Sequence, residues 1–113
     1  MKHLVLSLSL TVSLATAAQS GYINNRDDWV NFDKELKEPF VLGMYEVITS
    51  HAHDATAKEI KWKKTVLDCM YEMEASATTL VDMVDNYYQD LGNWSKPLIQ
   101  AVIDGLHEIC VKD

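Results

Sequence analysis

The sequence predicts an all-α domain, a compact bundle of four or five short helices closed by one disulfide. Three observations carry that expectation. Apolar residues recur at helical spacing through the middle and C-terminal parts of the chain, and no run alternates apolar and polar residues as a half-buried strand would. Only two cysteines are present, and one of them ends the last apolar stripe. At 113 residues the chain has room for one small domain, and its 48 % hydrophobic content is too high for disorder. Seventeen acidic against ten basic side chains give a net charge of −7, which disfavours nucleic acid or an anionic membrane as a partner.

Residues 1–18 read as a secretory signal peptide. Lys2 and His3 give a basic start, Leu4 to Leu14 carry no charge, and Ala15, Thr16, Ala17 and Ala18 supply a small-residue cleavage site. The apolar run is about half of the roughly 20 residues a membrane span needs. Cleavage is expected to leave residues 19–113 as a single helical domain, free of the membrane in an extracytoplasmic space, the bacterial periplasm above all. Such a space is oxidising and favours a disulfide between Cys69 and Cys110. A redox pair would need close spacing such as C-x-x-C, which is absent; pairing between two chains stays open.

Residues 19–25, with Gly21 and two asparagines, read as a flexible leader. From Asp27 the pattern turns helical: Asp27 and Asp28 suit a first turn, and Trp29, Phe32 and Leu36 follow at i, i+3, i+7. Pro39 is expected to kink this helix or to open the next, whose apolar face is Phe40, Val41, Met44, Val47 and Ile48. Gly43 inside that face suggests close approach of another helix. Thr49 to Asp68 reads as a linker. It begins with His51, His53 and Asp54, which lack the further ligands a metal site needs and suit a solvated helix end. Lys58, Lys61, Lys63 and Lys64 then surround Ile60 and Trp62 as a local basic patch. Ser76 is a cap candidate for a helix whose stripe is Leu80, Val81, Val84, Tyr87, Tyr88 and Leu91, ended by Gly92 and Asn93. Ser95 is expected to cap the final helix, with Pro97 in its first turn and Leu98, Val102, Leu106 and Ile109 as its core face.

The pattern holds no catalytic signature. A Gly-rich phosphate loop, H-E-x-x-H and G-x-S-x-G are all missing, so no catalytic residue, metal ligand or cofactor is assigned. The residues alone point to an acidic, disulfide-closed helical module that binds or supports rather than catalyses.

A family resemblance goes further. In Cys69, Ser76, Leu80, Val81, Val84, Tyr87, Tyr88, Trp94, Pro97, Leu106 and Cys110 a cysteine precedes a Ser-capped helix with a Leu-Val-x-x-Val run and a Tyr pair. A short loop with proline then leads to a last helix ending in cysteine. This arrangement resembles the Rap/Tai immunity proteins, which protect bacteria against type VI secretion peptidoglycan amidases; Gly43 to Glu46 loosely resembles that family's Gly-centred helix. The resemblance implies a periplasmic protein, often a homodimer, that binds a secreted amidase effector and occludes its active site. It also implies a contact loop in the last turn, here Asp90, Asn93, Trp94 and Ser95. Trp94 admits two readings: an anchor folded back on the core, or a side chain that enters the amidase cleft. Two other functions fit the same composition: an HdeA-type periplasmic acid-stress chaperone driven by carboxylate protonation, and a carrier of small apolar ligands.

Overall fold

Five α-helices and one 3₁₀ turn make up the fold in a computed structural model, which describes residues 23–50 and 54–111. They are α1 (Arg26–Asn31), α2 (Lys34–Thr49), α3 (Ala57–Glu72), α4 (Ala77–Tyr87) and α5 (Leu98–Cys110), with the 3₁₀ turn at Leu91–Asn93; no strand occurs among the described residues. The all-α expectation therefore holds. The proposed signal peptide and the pair His51 and His53 lie outside the described residues.

Each helix start has a local chemical cause, and two of them differ from the sequence expectation. Asn25 caps α1 by accepting from the Asp28 amide at 2.9 Å, with Asp27 and Asp28 in the first turn. The chain breaks at Phe32 because Asp33 caps a new helix, accepting from the Glu35 amide at 3.0 Å. Pro39 consequently sits inside α2, past its first turn, and does not open it. Pro39 has no N–H to offer the Glu35 carbonyl, and both residues are exposed. The supposed linker is largely α3. Thr56 accepts from the Glu59 amide at 3.1 Å, and Trp62, Val66 and Met70 face inward behind the lysines.

The connection from α3 to α4 is a tight reversal. Glu74 adopts a left-handed φ of 54°, while the Glu74 and Ala75 amides return to the Tyr71 and Met70 carbonyls, each at 3.0 Å. Ser76 then caps α4 as expected, in a reciprocal box with Thr79. That helix stops at Tyr87, earlier than expected: Gly92 has no positive φ and does not terminate it, and Leu91 is 70 % exposed rather than part of the stripe.

Helix α5 buries the most, through Leu98, Ala101, Val102, Gly105 and Leu106. This i, i+3, i+4, i+7, i+8 set is a continuous apolar face. It packs on α4, α3 and α2, while α1 covers one end through the buried Trp29. The bridge Cys69–Cys110 ties the end of α5 to α3 within the one chain, with the Cα atoms 5.6 Å apart. Closing a loop of 41 residues stabilises the fold by about 4 kcal/mol on the chain-entropy model.

The close helix approach is at Gly105 and not at Gly43. A Cβ at Gly43 would meet nothing within 4 Å, whereas one at Gly105 would lie 2.7 Å from the Met83 Cγ. Overpacking costs roughly 1–3 kcal/mol and the Ala propensity gain is about 1 kcal/mol, so Gly105→Ala is expected to destabilise by about 1 kcal/mol. In a Met83→Ala background the obstacle is gone and the same change is expected to stabilise. Denaturation midpoints for the four proteins check this; an effect of one sign in both backgrounds contradicts it.

Candidate functional site

The corner between α4 and α5 is where the chain displays apolar side chains on a backbone that has little freedom. Asp90 accepts from the Gly92 amide at 3.0 Å and so sets the 3₁₀ turn. The Asn93 amide group donates to the Tyr87 carbonyl at 2.9 Å, and the Tyr88 hydroxyl donates to the Lys96 carbonyl at 2.8 Å. Both bonds hold the turn against the end of α4.

The far side of the corner is held by the N-terminal segment. Ser95 does not cap α5. The N-cap position is Pro97, which makes no side-chain capping bond, and the orphan Leu98 amide donates instead to the Ile23 carbonyl at 2.8 Å. Three residues on, the Arg26 amide donates to the Trp94 carbonyl at 2.8 Å. Ile23 is itself buried. Residues 23–25 are thus a fixed strap and not the flexible leader that their composition suggested.

On this frame Leu91 stands 70 % exposed and Trp94 42 % exposed. The Trp94 backbone is anchored, and its ring is half in water with the Arg26 guanidinium 4.5 Å from its centroid. The structure brings Asp90, Asn93, Trp94 and Ser95 together, with Asp90 and Asn93 building the turn and Ser95 exposed beside them. Sequence reasoning missed two members of this surface. Leu91 was legible as an apolar residue among polar turn residues directly before Gly92. Arg26 was legible only as the chain's single arginine.

Clefts flank the corner on both sides. One of about 410 Å³ lies between Arg26, Val30, Asp85, Gln89 and Trp94. The other, about 320 Å³, includes Asn86, Asp90, Asn93 and Glu108 and is acidic. A third groove of about 420 Å³ lies away from the corner, with Ile48, Trp62 and Ile103 as its floor and Lys58 and Lys63 at its rim. Two of the four lysines of the expected basic patch, Lys58 and Lys63, line this groove together with Glu59, and Lys61 does not. Lys64 is not part of it, since it pairs with Asp68 at 2.7 Å. Among the described residues no group of three His, Cys, Asp or Glu gathers to hold a metal ion, and no helix is long and apolar enough to cross a membrane.

No family model, curated protein or solved structure matches the chain.

Two tyrosines under the corner are shifted upward. Burial, with the nearby Asp28 charge, pushes the Tyr88 hydroxyl up to about 12. Burial also raises Tyr87, assisted by the hydrogen bond its hydroxyl donates to Asp104 at 2.8 Å. Unfolded tyrosines ionise near pH 10, so the folded protein holds Tyr88 neutral beyond that point. Its contribution to stability is expected to be complete below about pH 10 and to fall as pH rises towards about 12. Near-ultraviolet absorbance and helicity followed together in the protein and in Tyr88→Phe check this. Ionisation of Tyr88 near pH 10 with the helices intact contradicts it.

Proposed function

We propose that the chain is an exported immunity protein of the Rap/Tai type, which binds a type VI secretion peptidoglycan amidase in the periplasm and occludes its active site. The observation that carries this reading is the corner. Leu91 and Trp94 are displayed on a turn fixed from both sides, on an acidic helical scaffold closed by a disulfide. A preorganised apolar projection loses little conformational freedom on docking, which is the property an occluding loop needs. The family resemblance of Cys69 to Cys110 supplies the class of partner, and the leader at residues 1–18 supplies the route to it.

Charge fits the same picture. The acidic surface steers a basic cell-wall enzyme towards the chain, and buried apolar anchors then set how long the complex lasts. Asp85 and Asp90 lie on either side of the corner and add to that steering field beside the projection. Inhibition by binding requires no reacting group on the inhibitor.

The test pairs the exported chain with a panel of type VI amidase effectors directed to the periplasm of a sensitive bacterium. The chain is expected to protect against its effector. Trp94→Ala is expected to weaken that effector's binding about thirty-fold or more, in line with the roughly 2 kcal/mol or more carried by a hot-spot Trp. Helicity and the Cys69–Cys110 bridge should be retained in the variant. Failure to protect against any amidase of the panel, or an affinity unchanged in both Trp94→Ala and Leu91→Ala, contradicts the proposal.

A further inference from the structure

The 410 Å³ cleft beside Trp94 holds one fixed cation and one fixed anion that do not pair with each other. The Arg26 guanidinium sits over the Trp94 ring, 4.5 Å from its centroid, a cation–π contact that restricts where the guanidinium fork can go. Its ion-pair partner among the described residues is Asp27 at 4.0 Å, beyond hydrogen-bond reach, and the Asp27 side chain is itself 86 % exposed. Across the cleft, Asp85 accepts from the Trp29 indole N–H at 2.8 Å through one oxygen. That bond fixes the carboxylate and leaves its second oxygen for another donor.

Neighbouring charges narrow the ligand class. Asp27 and Asp28 on α1 oppose a ligand of net negative charge, and Arg26 opposes one of net positive charge. A group carrying an ammonium and a carboxylate on one carbon offers a partner to each of the two charges. We infer that this cleft binds the zwitterionic head of an α-amino acid. Its carboxylate lies on the Arg26 fork, its ammonium on Asp85, and its aliphatic part against Val30, which is 51 % exposed, and the Trp94 ring. The cleft volume falls within the range of about 300–1,000 Å³ usual for small-molecule sites. This site goes beyond the protein-docking role of the corner and does not depend on it.

The three tryptophans make the test internal to the full exported chain. Trp29 and Trp94 line the cleft and Trp62 lines a different groove, so indole N–H resonances report the site and a control in one spectrum. Alanine and diaminopimelate, titrated to about 10 mM, are expected to shift Trp29 and Trp94 saturably and to leave Trp62 in place. A peptide bearing diaminopimelate with its side-chain zwitterion intact separates a peptide-borne head from a free one. N-acetylalanine lacks the ammonium and alaninamide lacks the carboxylate, and both are expected to fail. Arg26→Lys, which keeps the charge and loses the fork, is expected to weaken binding about tenfold, as is Asp85→Asn, which still accepts from Trp29. Absence of a saturable shift with every zwitterion, or equal binding of the acetylated or amidated forms, overturns the inference. Neither result bears on the amidase-binding reading, which is tested against a protein partner.

Discussion

Helix α5 is held at both ends by parts of the chain remote in sequence, and the rest of the molecule is arranged around that constraint. At its start the Leu98 amide is taken by the Ile23 carbonyl; at its end Cys110 is bonded to Cys69 of α3. Between these points α5 contributes a continuous buried face from Leu98 to Leu106. Gly105 then lets α4 approach until Met83 fills the space a side chain would take. A domain of this size has only about 5–15 kcal/mol of net stability, so a helix pinned at both ends and buried along one face accounts for much of what keeps it folded.

The same constraint shapes the exposed corner. A helix start without a side-chain cap normally frays, and a turn next to it would move with it. Here the strap from Ile23 to Arg26 supplies the missing acceptor and also takes the Trp94 carbonyl. Leu91 and the Trp94 ring are thereby presented to solvent in a defined geometry. Exposed apolar side chains on a rigid turn are placed to meet another surface without reordering the turn. On the proposed reading that surface is the active-site cleft of an amidase.

What was legible in the sequence followed from local chemistry. Helix α5 announced itself through Leu98, Val102 and Leu106, and α4 through the Ser76 cap and Leu80, Val84 and Tyr88. Helix α3 was hidden because its inward residues Trp62, Val66 and Met70 are diluted by lysines whose stems cover the surface, although Thr56-x-x-Glu59 carries a capping pattern. Pro39 and Gly43 misled because each was given its usual meaning, whereas the exposed side of α2 tolerates a lost hydrogen bond and has no neighbour over Gly43. The true close approach, at Gly105, depends on which helix lies opposite, and no spacing rule encodes that. Ser95 looked like a cap for the same reason. Its competitor was a carbonyl some 70 residues away in sequence. Of the site, the turn and Trp94 were legible, while Arg26 and Asp85 join it only through the fold.

Amide hydrogen exchange at Leu98 and Arg26 tests the central claim directly. Amides in the first turn of a helix have no intrahelical partner and ordinarily exchange fast. If residues 23–26 clamp the corner, both amides exchange as slowly as those inside α5, and deleting residues up to Asn24 releases Leu98 selectively. Exchange of the Leu98 amide at the rate of an open first-turn amide in the intact protein would contradict the account.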